Sequence, residues 1–319
     1  MKRDLLRSAG LCIALVAFSG AAHAKWPERP VTIVAPWAPG GNADILARLT
    51  AQSISDKLGQ PVIVENRPGA GGMLGAQTVA RSKADGYTFL LGAFAHVLGQ
   101  FFYRNKLVDM RTELIPVTQV VDIPNYIAVN SNSKYTSLKE LLEEAKADPS
   151  KVTCATPGVG TAAHLVCEMI NQEVGTKIET VPYRGGVPAI TDVMGGLVTF
   201  YSGNESLPYI KDNRLKGLAV TTLERSPVAE DLPPAADDIP GFSVGSWYGV
   251  FAPTGTPKEA VDRMSTLISE ALTDQEFINR LNDLGANPIG STPEEFGVFV
   301  DSELTRWEAV TKSLDIRLD

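Results

Sequence analysis

Residues 34–44 read V-A-P-W-A-P-G-G-N-A-D and hold the first candidate for binding chemistry. The apolar start of this stretch predicts a strand, and Asn42 and Asp44 predict a helix N-cap and first turn. Between them, Gly40 and Gly41 allow a tight bend that leaves backbone N–H groups unpaired. A strand, a glycine turn and a helix N-terminus together form an anion site, because the N–H groups and the helix dipole attract negative charge.

A second stretch of the same kind covers residues 156–164, T-P-G-V-G-T-A-A-H. Gly158 and Gly160 form its turn, and Thr161 is predicted at the helix N-terminus with its hydroxyl and N–H toward a cleft. His164 lies one turn into the helix, where it could donate to an anion. A buried histidine bonded to the backbone is the alternative interpretation.

Aromatic and polar residues near the predicted strand ends complete the candidate site. Trp37, with Ala38 beside it, and Phe94 could form the walls of a cleft. Tyr183 and Arg184 follow a predicted strand and are further cleft candidates, since ligands of α/β sheets bind beyond the carboxyl ends of the strands.

Asp44 needs a separate interpretation, because its carboxylate would repel a carboxylate placed beside it. Three roles are open: contact through water, contact with a ligand amine or hydroxyl, or stabilisation of its own helix.

The sequence favours no enzyme class. Its few histidines include His96 and His164, which lie far apart, and no G-x-S-x-G motif is present. We therefore expect no catalytic residues, no metal and no cofactor. Residues 158–163 fit G-x-G-x-x-A, with Glu179 at the distance of a ribose-binding acid. A dinucleotide enzyme is nevertheless disfavoured, since Glu179 lies inside its predicted strand and an exported protein meets little NAD.

The N-terminus is predicted to carry an export signal. A basic start, a short apolar run at residues 11–18 and A-H-A at residues 22–24 predict a signal peptide removed before Lys25, and therefore a periplasmic protein. The net charge of −8 argues against nucleic acid and anionic membranes as partners. Cys154 and Cys167 would remain after cleavage, either as a disulfide or as two buried thiols.

Short apolar strands alternate with helices along the rest of the chain, which predicts an α/β fold with mainly parallel sheets. The predicted strands are residues 31–35, 61–65, 87–91, 126–129, 151–155, 178–181, 197–201, 215–220 and 247–251. The predicted helices are residues 45–58, 138–147, 189–194, 257–272, 275–284 and 293–314, with two more after the glycine turns at 66–72 and 156–161.

Two βα series, one from Val31 and one from Tyr126, each place a glycine turn after an early strand, which suggests two similar lobes with a ligand between them. We expect residues 25–124 and 222–319 in the first lobe and residues 125–221 in the second. Closure would rotate the lobes about the segments near 122–126 and 221–224.

Several short motifs in a fixed order resemble one known family. They are W-P-E-R-P at residue 26, A-P-G-G-x-x-D ending at residue 44, V-x-V-E-N-R-P-G-A-G-G at 62–72, D-G-Y-T at 85–88, V-P-Y-R-G at 181–185 and G-x-F-A-P-T-G-T-P at 249–257. The chain is similar to the substrate-binding proteins of tripartite tricarboxylate transporters, the Bug family of periplasmic receptors. The resemblance covers nearly all of the chain after residue 24.

The resemblance implies a type II-like, two-lobed periplasmic binding protein with two crossovers between the lobes. It also implies a receptor that captures a small carboxylate with the loops holding Gly40–Gly41 and Gly158–His164, and that delivers it to a membrane permease. We expect the protein to be a monomer. A carboxylate-sensing receptor without a transport role is the alternative. The chain departs from the family pattern at Arg184, where Lys is usual, at Pro233–Pro240 and at Tyr201–Asn204.

Overall fold

A computed structural model describes residues 26–103 and 106–314, with side chains described as far as residue 312. The expected signal peptide and its cleavage point before Lys25 lie outside these residues. Within the described ranges, no helix has the length and apolar character needed to cross a membrane.

The strands and helices alternate along most of the chain. The strands are β1 (Val31–Ala35), β2 (Val62–Asn66), β3 (Thr88–Ala93), β4 (Leu114–Pro124), β5 (Tyr126–Asn130), β6 (Thr153–Thr156), β7 (Glu179–Pro182), β8 (Phe200–Ser202), β9 (Leu215–Val220), β10 (Gly245–Pro253) and β11 (Asn287–Pro288). The helices are α1 (Asn42–Leu58), α2 (Met73–Ala80), α3 (Phe94–Phe102), α4 (Leu138–Ala147), α5 (Ala162–Val174), α6 (Gly186–Met194), α7 (Leu207–Lys211), α8 (Lys258–Ala271), α9 (Gln275–Asp283) and α10 (Pro293–Leu314).

Two mixed sheets organise these elements. Within the described residues, the first sheet has the strand order β11-β4-β10-β3-β1-β2 and the second has the order β7-β6-β8-β5-β9. β1 is parallel to β2 and β3, and β6 is parallel to β7 and β8. β10 is antiparallel to β3 and β4, and β5 is antiparallel to β8 and β9.

This arrangement confirms an α/β fold with two lobes, each built on one sheet flanked by helices. The expectation that the sheets are mainly parallel is wrong. Most of the antiparallel pairs involve the strands that carry the chain between the sheets: β4 leads into β5, and β9 is followed by the return to β10. The short edge strand β11 is also antiparallel to β4. A chain that crosses to a second lobe and comes back places its outgoing and returning strands side by side in opposite directions.

Most predicted elements are present, with ends shifted by a few residues. Strands at 31–35 and 215–220 and helices at 138–147 and 293–314 have the predicted bounds. The helix α3 was not predicted. Its sequence F-A-H-V-L-G-Q-F-F is buried on nearly all sides, so it lacks the polar face that marks a surface helix.

The first sheet is covered on both faces. One face carries α1 and α8, with Leu46 and Met264 in the core between them and the strands. The other face carries α3 and α10, where the rings of Phe94 and Trp307 meet edge to face with centroids 5.0 Å apart. Both rings are buried, so the C-terminal helix holds α3 in place.

The two connections between the lobes are hydrogen-bonded to each other. Asn125 follows β4, and its N–H donates to Thr221 Oγ1 at 3.1 Å, while the Thr221 N–H donates to the Asn125 carbonyl at 2.9 Å. The Asn125 side-chain amide and the Thr221 hydroxyl also donate to the Val244 carbonyl, at 3.1 and 2.6 Å. All three residues are buried, so these bonds tie the crossing segments together side by side.

Candidate functional site

A cavity of about 550 Å³ opens between the two sheets. It lies beyond the carboxyl ends of β3 and β6, as expected for ligand sites in α/β sheets. The first lobe contributes Trp37, Gly71, Ala93, Phe94, Ala95, Leu98, Gly99, Phe102, Tyr103, Ser246 and Tyr248. The junction and the second lobe contribute Asn125, Pro157, Val159, Gly160, Thr161, Ala162, Ala163, Asn204 and Glu205.

The N-terminus of α5 forms one end of this cavity. Gly158 and Gly160 have φ of +150° and +80°, which only glycine adopts readily, and they turn the chain from β6 into the helix. The first two helical residues, Ala162 and Ala163, line the cavity. Their N–H groups have no hydrogen-bond partner in the described part of the chain, so they are free to donate to an anion.

Thr161 lies in the cavity wall as predicted, but its hydroxyl is occupied. The hydroxyl donates to the Gly158 carbonyl at 2.8 Å and accepts the N–H of His164 at 3.1 Å. Thr161 is therefore the N-cap of α5, and its side chain fixes the loop geometry.

A disulfide anchors the same loop. Cys154 lies in β6 and Cys167 in α5, both are buried, and the structure joins their sulfur atoms with Cα atoms 6.2 Å apart. Of the two alternatives, a disulfide or two buried thiols, the structure has the disulfide. It links the strand before the loop to the helix after it.

The N-terminus of α3 contributes from the opposite lobe. β3 runs directly into α3, and Ala93, Phe94 and Ala95 line the cavity. His96 caps this helix from within: its Nδ1 accepts the N–H of Ala93 at 2.9 Å, and its Nε2 lies 3.3 Å from the Gly72 carbonyl. Burial lowers the pKa of His96 to about 4, so the ring is neutral and can accept at Nδ1.

Asp44 stabilises the loop that precedes α1. Its carboxylate accepts hydrogen bonds from the Gly40 N–H at 2.9 Å, from the Asn66 side chain at 2.9 Å and from Arg48 at 3.1 Å. The Arg48 guanidinium is the main reason why the pKa of Asp44 falls to about 2. Of the three roles left open for Asp44, the described contacts match stabilisation of its own helix and loop.

The rest of that loop differs from expectation in two respects. Gly41, not Asn42, is the N-cap of α1, and no side chain caps this helix. Gly40 has a φ of +87°, whereas Gly41 has an ordinary φ of −83°, so only Gly40 needs the freedom of glycine. Ala38, Gly40 and Gly41 are exposed and lie outside the cavity lining, so their contact with a ligand stays a prediction.

Four more predicted residues lie outside the lining: Gly158, His164, Tyr183 and Arg184. His164 is only 7 % exposed, and burial lowers its pKa, although Glu168 at 3.8 Å opposes that shift. The Tyr183 hydroxyl donates to Asp192 at 2.7 Å, and Arg184 is exposed to solvent. Ligand contacts by these residues also stay predictions.

Aromatic side chains form much of the first-lobe wall. Trp37 and Phe94 lie there as the sequence predicts. The Trp37 ring meets His96 and Tyr248 edge to face, with centroids 5.3 and 5.9 Å apart. Such a wall suits the apolar part of a small ligand.

Sequence reasoning missed the polar residues Asn125, Asn204, Glu205 and Ser246 and the phenol of Tyr248. Glu205 follows the segment that departs from the family pattern, which was the one available signal. Asn204 is the last residue of that same segment. Asn125 lies in a crossing segment, and Ser246 and Tyr248 lie in β10, where neither composition nor spacing marks a binding residue.

The cavity is suited to binding rather than to bond cleavage. Its unpaired anion donors among the described contacts are the neutral N–H groups of Ala162 and Ala163 at the N-terminus of α5. Among the described residues, no three His, Cys, Asp or Glu side chains come together as a metal site.

Comparison with known proteins agrees with this geometry. Residues 46–316 match the model of the tripartite tricarboxylate transporter family receptor. Protein BugT of Bordetella pertussis is 33% identical, over 98% of this chain and 98% of its own. Among solved structures, Rpa4515 of R. palustris with adipate is 35% identical with a TM-score of 0.76, over 90% of this chain and 97% of its own. MatC of Rhodopseudomonas palustris with bound malate is 30% identical with a TM-score of 0.72, over 89% of this chain and 99% of its own. The chain therefore belongs to the tripartite tricarboxylate transporter receptor family, together with the Bug proteins, and is a solute-binding receptor rather than an enzyme.

Proposed function

We propose that this receptor works in the periplasm, where it captures a small organic carboxylate in the cleft and delivers it to the membrane permease of a tripartite transporter. The observation that carries this proposal is the pair of helix N-termini, α3 from one lobe and α5 from the other, that open into one cavity. The adipate and malate bound by two relatives support a carboxylate as ligand.

The free energy of binding can be built from this geometry. Micromolar affinity needs roughly 8 kcal/mol. Hydrogen bonds from the N–H groups of Ala162 and Ala163 to a charged oxygen would contribute about 1.5–3 kcal/mol each. The dipole of α5 adds up to about 2 kcal/mol in a partly buried site. Burial of the ligand's carbon chain against Phe94, Leu98 and Phe102 supplies the remainder.

Capture requires the lobes to close, and the crossing segments are the proposed hinge. We propose that residues 25–124 and 222–319 move as one lobe and residues 125–221 as the other. The bonds among Asn125, Thr221 and Val244 support a rotation about these segments, because they keep both connections together.

Closure is also the step at which the loop of Gly40 and Gly41 would reach the ligand. A Cβ atom at Gly41 would meet nothing nearer than the Ala38 carbonyl oxygen at 3.9 Å, and Gly41 has an ordinary φ of −83°, so we expect Gly41→Val to fold. Loss of carboxylate binding by a folded Gly41→Val variant supports a ligand contact by this loop, and unchanged binding refutes it.

A panel of matched compounds tests the function itself. Thermal shift followed by calorimetry should compare carboxylates of increasing chain length with their neutral amides. We expect a subset of the carboxylates to raise the melting temperature and to bind at a single site, and the amides to be inactive. Equal binding of acids and amides, or binding of neither, refutes a carboxylate receptor.

A further inference from the structure

A glutamate faces the ligand cavity at a point not used by the carboxylate site. Glu205 lies in the short turn Asn204–Ser206 after β8, lines the cavity and is exposed to it. The hydroxyl of Tyr201 donates to its Oε2 at 2.8 Å. No hydrogen bond to Oε1 is found among the described residues, so one carboxylate oxygen is open to a ligand.

Two glycines lie against the pair of Glu205 and Tyr201, where any larger residue would collide with these side chains. A Cβ atom on Gly203 would lie 2.6 Å from the Tyr201 hydroxyl and 2.8 Å from Glu205 Oε2. A Cβ atom on Gly186 would lie 2.9 Å from the same hydroxyl and 3.1 Å from Glu205 Cγ. Tyr201 itself is fully buried, so the phenol that holds Glu205 is a fixed part of the lobe.

The negative charge of Glu205 acts on Tyr248 across the cleft. Burial is the main reason why the pKa of Tyr248 rises to about 12, and the Glu205 carboxylate adds to that rise from the other lobe. Among the described residues in the cavity wall, Glu205 is the one charged side chain. The described wall therefore combines neutral anion donors at α5 with a single fixed negative charge.

Closure of the lobes, as proposed above, would bury the Glu205 carboxylate. Glu205 is exposed in this structure, and Tyr201 satisfies only part of the acceptor capacity of its carboxylate. Once buried, Glu205 would need a hydrogen-bond donor or a positive charge from the ligand. A dicarboxylate would instead bring a second negative charge toward it, which opposes binding.

We propose that the preferred ligand is an amino-carboxylate, whose carboxylate binds at the N-terminus of α5 and whose protonated amine pairs with Glu205. This inference rests on the proposed carboxylate-binding function and specifies its ligand class. Phe94, Leu98 and Phe102 offer an apolar surface to the carbon atoms between the two charged ends.

The test compares pairs with the same number of carbon atoms, in which an aminomethyl group (–CH2–NH3+) takes the place of one carboxylate. The pairs are succinate with γ-aminobutyrate, glutarate with δ-aminovalerate, and adipate with ε-aminocaproate, together with the α-amino acids of the same lengths. Calorimetry on the full receptor should give at least about tenfold tighter binding of the best amino-carboxylate than of its matched diacid.

Glu205→Gln keeps the size of the side chain and removes its charge. It should reduce that preference by about tenfold or more, because the amine loses its ionic partner and the diacid loses its repulsion. Glu179→Gln is the matched control, since Glu179 is an exposed acid of the same lobe outside the cavity lining, and it should leave both affinities unchanged.

The outcomes separate this inference from the function on which it rests. A wild-type receptor that binds diacids more tightly, with the ratio unchanged in Glu205→Gln, overturns the amino-carboxylate inference and leaves the carboxylate receptor intact. If no member of either class binds, the carboxylate function fails and the inference fails with it.

Discussion

Removal of one backbone donor tests the carboxylate position most directly. Ala162 is the first residue of α5 and lines the cavity, and its N–H has no partner among the described residues. Ala162→Pro deletes this N–H, and proline is well tolerated at the first helical position. Thr161, the preceding residue, has φ −86° and ψ 161°, which is the extended conformation that proline requires before it.

The expected magnitude follows from the bond that is lost. A hydrogen bond to a charged group contributes about 1.5–3 kcal/mol, so the dissociation constant should rise by about 10- to 150-fold. The free energy of unfolding without ligand should change by less than about 0.5 kcal/mol, because the helix itself loses no bond.

Calorimetry with the tightest carboxylate of the panel measures the first quantity, and urea unfolding measures the second. Gln275→Pro is the matched control. Gln275 is the exposed first residue of α9 and lies outside the cavity lining. The N-cap residue Asp274 accepts the N–H of Phe277, so proline at position 275 leaves this capping bond intact. A folded Ala162→Pro variant that binds as tightly as Gln275→Pro would show that the carboxylate lies elsewhere.

Three further predictions concern stability. Because burial lowers the pKa of His96 to about 4, the free energy of unfolding should fall by up to about 3 kcal/mol as pH drops from about 6.5 to 4. Urea unfolding of His96→Gln should show a smaller fall over the same pH range. An equal fall in the variant and the wild type would contradict this cause. Asp44→Asn should cost about 1–2 kcal/mol at neutral pH, less than the full pKa shift because Arg48 is half-exposed. The Asp44→Asn difference should vanish as pH falls from about 4 to 2, where the wild-type carboxylate gains its proton, and a constant difference would refute the assigned cause. Replacing Cys154 and Cys167 together by Ser should cost about 3 kcal/mol in thermal unfolding, and thiol labelling of the denatured wild type without reductant should find neither cysteine free.

The sequence predicted those parts of the site that carry a local marker. The sequence predicts a turn at Gly158 and Gly160 and a helix cap at Thr161. The loop that these residues form borders the cavity. The sequence also predicts unpaired N–H groups at the turn of Gly40, but the Gly40 N–H donates to Asp44. This bond depends on the first turn of α1, which brings the carboxylate of residue 44 back to the N–H of residue 40.

The N-terminus of α3 had no local marker at all. Ala93 has no side chain able to cap a helix, and the cap comes from the ring of His96, which also reaches Gly72. Glu205 was missed for another reason: an acid in a short polar turn usually faces solvent. Only the packing of Tyr201 and Gly186 around it shows that it faces a cavity.

The pairing of Phe94 with Trp307 also bears on how the receptor matures. Phe94 stands where α3 begins at the cavity, and the last helix of the chain covers its ring. Synthesis proceeds from the N-terminus, so this ring has no cover until α10 has been made and has docked. A nascent chain that already contains every cavity-lining residue would thus lack the packing partner that stabilises α3. Ligand binding would therefore become possible only after α10 has docked.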